Sequence, residues 1–209
     1  MIAVVDYGMG NLDSVAKALN RVGGVFRFVE RPEDLAHFDR ILLPGVGNFG
    51  DGMEHLRSRG WETPLRRAAD SGVPMSGICL GMQMMLEASE EAPGVRGLGL
   101  FRGRCRRFPD DSAKVPHIGW NDVTVTHFHP AAQSVSDGDF FYFVHSYYAE
   151  LENPEEMILQ CNYIFPFAAA IGRGNIFAVQ FHPEKSQECG LTVLRNFVEL
   201  CGKGKGASC

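Results

Sequence analysis

Val73-Pro74-Met75-Ser76-Gly77-Ile78-Cys79-Leu80-Gly81-Met82-Gln83-Met84-Met85-Leu86-Glu87 is the stretch whose reading decides the fold. Its first residues lead in as a strand, and from Met82 to Glu87 it is built of good helix formers. Between them lies G-x-C-x-G, a turn whose small glycines let the backbone bend sharply and leave the cysteine at the corner. A helix starting just after Cys79 would offer unpaired N–H groups and a positive dipole end, both favourable to a thiolate. Cysteine is also among the most buried residue types. The pentapeptide alone fits a reactive corner and a structural core thiol equally.

Outward from this corner, the first half alternates apolar runs with helical periodicity. Ile2–Val5 reads as a buried strand, and Leu12, Val15, Ala16, Leu19 and Val22 fall at helical spacing until Gly23-Gly24. Strands at 25–29 and 40–43 follow, then helices near 50–59 and 62–71. Strands alternating with helices predict a doubly wound, mostly parallel sheet flanked by helices. The second half changes character, with strand-like runs at 100–108, 122–127, 140–144, 157–163, 167–171 and 176–181. Gly172-Arg173-Gly174-Asn175 is a hairpin signal between the last two. A closing helix from Gln187 to Cys201 carries Leu191, Leu194, Val198 and Cys201 on one face. With no linker or repeat, the expectation is one α/β domain over residues 1–202, with a mixed, mostly parallel central sheet and a frayed tail at 203–209.

The 209 residues are enough to bury a sizeable core, and 45% hydrophobic with 22% charged residues is ordinary for a soluble domain. A formal net charge of −5 gives no electrostatic case for nucleic acid or an anionic membrane. The run Arg102, Arg104, Arg106 and Arg107 reads as a solvated strand face, with a contact to an anionic partner left open. The six cysteines form no C-x-x-C pair, which argues against zinc, and the length argues against a disulfide-stapled module. No metal and no cofactor are expected. Residues 1–5 begin a strand at once, and no apolar run reaches membrane-spanning length. The expected setting is a reducing cytoplasm.

A cysteine nucleophile needs a base, an orienting group and an oxyanion site. Of the seven histidines, His182 stands out. It ends an apolar strand, and Glu184 two residues on suits it for a base–orienter pair. His37, His55, His127 and His129 read as surface residues; His117 and His145 sit near aromatic strands, with core and partner contact both open. Pro44-Gly45-Val46-Gly47 follows the third strand, where glycines could turn backbone N–H groups toward a site at the strands' carboxyl ends.

These three segments together resemble the class I, triad-type glutamine amidotransferases. The resemblance runs nearly end to end. Asp6-Tyr7-Gly8-Met9-Gly10-Asn11-Leu12, Pro116-His117-Ile118-Gly119-Trp120-Asn121 and Phe143-Val144-His145-Ser146-Tyr147-Tyr148 narrow it to glutaminase subunits of histidine biosynthesis. Asp13 and Cys189 depart from the pattern without touching the triad or the turn glycines. The resemblance implies hydrolysis of L-glutamine by a Cys79–His182–Glu184 triad. It implies an oxyanion site from the N–H groups of Leu80 and the Gly45–Val46 segment. Gly47, Gln83, Ser146 and Tyr147 match positions that hold the substrate's α-amino and carboxylate groups. It also implies a separate (β/α)₈-barrel cyclase subunit receiving the ammonia, docked over Asn11, Trp120, Asn121, Tyr142 and Lys185. A paralogous acceptor, such as a synthase amidating surface sugars, stays open at this point, as does a catalytically dead scaffold on the same fold.

Overall fold

The computed structural model describes residues 1–110 and 113–200. Strand and helix alternate through the first half: β1 (Ile2–Val5), α1 (Leu12–Arg21), β2 (Phe26–Val29), β3 (Arg40–Leu43), α2 (Phe49–Ser58), α3 (Glu62–Asp70), β4 (Met75–Ile78) and α4 (Leu80–Met84). Asn11 and Asn48 start α1 and α2, their side-chain oxygens accepting from the N–H groups of Ser14 and Asp51. The second half holds β5 (Ala88–Ser89), β6 (Gly103–Arg107), β7 (His117–Val125), β8 (Phe140–His145), β9 (Tyr147–Leu151), β10 (Met157–Asn162), β11 (Pro166–Arg173), β12 (Ile176–Val179) and α5 (Gln187–Glu199).

Nine strands form the central sheet in the order β2-β1-β3-β4-β12-β11-β10-β7-β8. β2, β1, β3, β4 and β12 run parallel, and β11, β10, β7 and β8 continue antiparallel. The sheet is buried on both faces, so its central strands are apolar throughout rather than alternating. Ile2 and Val4 of β1 enter one core with α1 and α5, whereas Ala3 and Val5 enter the other with α2, α3 and α4. β4 and β12 lie side by side at the middle, Val179 opposite Ile78. That adjacency brings the segments after both strands to one point.

Several sequence expectations are corrected. A second sheet, β5-β6-β9, stands apart from the central one. The chain passes from β8 to β9 through Ser146 alone, and no turn residue announces the change of sheet. The helix expected through Glu87 stops at Met84, because the N–H groups of Leu98 and Leu100 take the carbonyls of Met84 and Met85 at 2.7 and 2.8 Å. β7 begins at His117 rather than Asp122. His129 is buried, stacked on Phe177 with centroids 5.1 Å apart. Arg104 and Arg106 pair with Glu150 and Glu90 at the solvated surface of β6. Cys201 and the tail at 203–209 lie outside the described residues. Among the described residues no helix is long and apolar enough to cross a membrane.

Candidate active site

The corner between β4 and α4 is tighter than glycine flexibility alone would make it. Cys79 itself carries the unusual backbone, with φ 52° and ψ −108°. A left-handed non-glycine residue costs about 1–3 kcal/mol and persists only where surroundings hold it. The flanking glycines serve space instead. A Cβ on Gly81 would sit 1.9 Å from the Leu43 carbonyl oxygen, and one on Gly77 would sit 2.8 Å from the Gly81 carbonyl carbon. On Gly45 it would meet the Tyr7 hydroxyl at 2.7 Å and the Gly81 nitrogen at 2.9 Å. The loop after β3 and the corner after β4 thus pack backbone on backbone, which is why both need glycine. Gly47, at φ +103°, is where conformational freedom is needed.

His182 arrives at this corner from the next strand. The Cys79 N–H donates to the Val179 carbonyl at 2.8 Å, tying the ends of β4 and β12 together. The His182 ring donates Nδ1–H to Glu184 Oε1 at 2.8 Å, and the side chains are only 3% and 2% exposed. Cys79 is the other group that acts on the imidazole. Burial pulls the His182 pKa down, but the hydrogen bonds and charges of Cys79 and Glu184 outweigh it and raise it from 6.5 to about 9. The turn is braced by Ser186, whose hydroxyl donates to the His182 carbonyl at 2.7 Å and accepts from the Tyr142 N–H at 2.9 Å.

This coupling has a titration signature. In an NMR titration His182 is expected to lose its proton near pH 9, and in Cys79→Ala at a distinctly lower pH. Because the folded pKa lies above the unfolded value of 6.5, the stability it contributes is complete below 6.5 and lost as pH rises to about 9. A His182 pKa unmoved by Cys79→Ala would refute the pairing.

Gly47, Cys79, Leu80, Gln83, Ser146 and Tyr147 line one cleft of about 240 Å³. Val46 is 40% exposed beside it, and Gly45 is buried beneath. Gln83 is not a solvent-facing helix residue: it is 5% exposed and donates Nε2–H to the Tyr147 carbonyl and to Gln180 Oε1. Gln180 in turn donates to Cys79 Sγ at 3.7 Å. Three polar residues of the cleft or its network were not singled out as site residues from sequence. Gln180 stands inside a quoted motif as a central-strand residue; its 0% exposure marks a buried polar group that must find partners. Glu91 lines the cleft, its carboxylate accepting from the Phe49 N–H at 2.7 Å, and burial raises its pKa. Glu91 lies in a polar loop whose sequence carries no such signal. His145 also lines the cleft.

The residues expected at a partner contact fall in two places. Trp120 is 46% exposed and meets Tyr142 edge-on at 6.1 Å, and Lys185 Nζ lies 5.8 Å above the Tyr142 ring. The Tyr142 carbonyl accepts from the His182 N–H at 2.9 Å, so this cluster is one residue from the triad. Asn121 adjoins it on β7 with its amide turned toward His117 and Asn162. Asn11 is exposed at the start of α1.

The family model for glutamine amidotransferase class-I matches residues 3–200. The chain belongs to that family. Curated members similar to it carry the name imidazole glycerol phosphate synthase subunit HisH. Those of Halobacterium salinarum and Methylococcus capsulatus are 49% and 47% identical, covering 96% and 94% of this chain and 93% and 95% of their own. That of Methanosarcina acetivorans is 45% identical over 96% of this chain and 98% of its own. Among solved structures, a glutamine amidotransferase matches with a TM-score of 0.75 at 17% identity, covering 96% of this chain and 100% of its own. PurLQS from Thermotoga maritima matches with 0.76 at 20% identity, covering 95% and 97%. These two share the class-I amidotransferase fold.

Proposed function

We propose that this amidotransferase chain is the glutaminase subunit of an imidazole glycerol phosphate synthase, releasing ammonia from L-glutamine for a cyclase partner. The observation that carries the reading is the buried His182–Glu184 pair, bonded at 2.8 Å and acting on Cys79, which lines the cleft. Cys79 as thiolate attacks the side-chain amide carbonyl of glutamine. The N–H groups of Leu80 and the Gly45–Val46 segment hold the oxyanion. His182, its Nδ1–H held by Glu184, takes the Cys79 thiol proton at Nε2, gives it to the leaving ammonia, and then takes a proton from the water that attacks the thioester. Gly47, Gln83, Ser146 and Tyr147 orient the amino-acid head group. The Glu91 carboxylate supplies a negative partner for the α-ammonium.

Free ammonia protonates in neutral water and loses its nucleophilicity, so the acceptor must dock over the site. A (β/α)₈-barrel cyclase seated on Trp120, Tyr142, Lys185, Asn121 and Asn11 would receive it and make imidazole glycerol phosphate and AICAR. The Gly45–Gly47 loop links docking to rate: an N–H turned away from the oxyanion position at rest would silence the isolated chain. Glutamine turnover by the chain alone is expected to be about 10²–10³-fold below that of its complex with cyclase and nucleotide ligand. Equal rates would overturn the coupling, and a complex without glutamine turnover would overturn the function.

A further inference from the structure

The directions of the hydrogen bonds behind the cleft can be worked out from what each group is able to do. His145 Nδ1 faces the Tyr147 carbonyl at 2.8 Å. A carbonyl only accepts, so Nδ1 carries the proton and a neutral ring is left with a bare Nε2. That nitrogen meets His117 Nδ1 at 3.1 Å, which must therefore donate, leaving His117 Nε2 bare in turn. Asn121 Nδ2 stands 3.4 Å from it and closes the chain, while also donating to the Asn162 carbonyl at 2.8 Å. Every proton in this series points inward, from the β7 edge to Tyr147.

The surroundings keep both rings uncharged. His117 is stacked between Phe143 and Tyr163, with centroids at 4.9 and 4.0 Å, and His145 lies 5.2 Å from Phe167. Burial lowers His117 to about 4 and His145 to about 3. Protonating either would set two donors face to face.

The inner end of the series bears on the substrate. The Tyr147 carbonyl that receives His145 also receives Gln83 Nε2–H at 3.2 Å, and the second Nε2 proton goes to Gln180 Oε1 at 3.0 Å. With both donors committed, Oε1 is the polar atom of Gln83 left for a ligand in the cleft it lines. We propose that His117 and His145 are positioning residues: a buried imidazole pair that anchors the Tyr147 carbonyl and so fixes the Gln83 amide with its oxygen toward the substrate's α-ammonium. The proposal rests on the glutaminase reading above.

Loss of such an anchor weakens substrate and transition state alike, which raises KM while leaving kcat. In the full chain assembled with its cyclase, His145→Phe is expected to raise KM for glutamine about tenfold, with kcat held within about threefold. His145→Asn, whose amide reaches the place of Nδ1 and can still donate to Tyr147, is expected to bring KM back to within about threefold of wild type. An unchanged KM in His145→Phe, or His145→Asn no better than His145→Phe, overturns the proposal. Should His145→Phe fail to fold, His117→Phe decides, since it keeps the ring stacks and removes only the outer donor. A KM raised about threefold supports the pair, and an unchanged KM overturns it. A wild-type complex unable to hydrolyse glutamine would instead overturn the glutaminase reading.

Discussion

Cys79→Ala in the assembled complex is expected to lower glutamine turnover at least about 10⁴-fold, the scale seen when a covalent nucleophile is deleted and only binding and oxyanion contacts remain. Among the described residues no other thiol lines the cleft, and burial pushes up the pKa values of Cys105, Cys161 and the half-buried Cys189. The measurement is glutamate release, paired with cyclase activity on added ammonium salts. The second readout should match wild type, because the proposed cyclase makes its product once ammonia is supplied by another route. Circular dichroism should be unchanged. Turnover retained within tenfold would exclude Cys79 as nucleophile, and loss of both activities would point to a broken complex.

Gly81→Ala should be among the most damaging single-methyl changes at the described glycines. Its Cβ would fall 1.9 Å from the Leu43 carbonyl oxygen, a main-chain atom of a central strand that cannot swing aside. Separating β3 from the corner would also disturb Gly45, which packs on the Gly81 nitrogen. A clash of this kind belongs with the rare substitutions that cost more than about 4 kcal/mol, or roughly 10 °C in a domain of this size. Gly94→Ala is the control. At φ +84° with nothing within 4 Å of the added carbon, it meets backbone strain alone, about 1–2 kcal/mol. Equal melting temperatures for the two variants would show that the close approach is not what Gly81 is for.

Much of the architecture is legible along the chain. The apolar runs at 2–5 and 40–43, the helical spacing of 12–22 and the hairpin signal at 172–175 reproduce as β1, β3, α1 and the β11–β12 turn. These patterns are local, set by side-chain period and turn chemistry, so a linear reading recovers them. The candidate catalytic residue types stand out for a related reason: a cysteine on a glycine-flanked corner and a histidine at a strand end need few neighbours to be suspected. The second sheet is not legible, because Ala88–Ser89 is too short to show a period and Tyr147–Leu151 follows β8 after a single residue. His129 reads as a surface residue in a polar loop, yet Phe177, far along the chain, buries it.

Residue chemistry in the sequence by itself determined an α/β chain with a candidate thiol nucleophile, a histidine–carboxylate pair and glycines where main chains must touch. Only the tertiary structure decided that β4 and β12 are neighbours, which sets Cys79 against His182, and that Glu91, Gln180 and His145 belong to the same site. Those relations join residues far apart in the chain, Gln180 and Cys79 by 101 positions. Strand order and burial create them, and neither is written in any local stretch of residues.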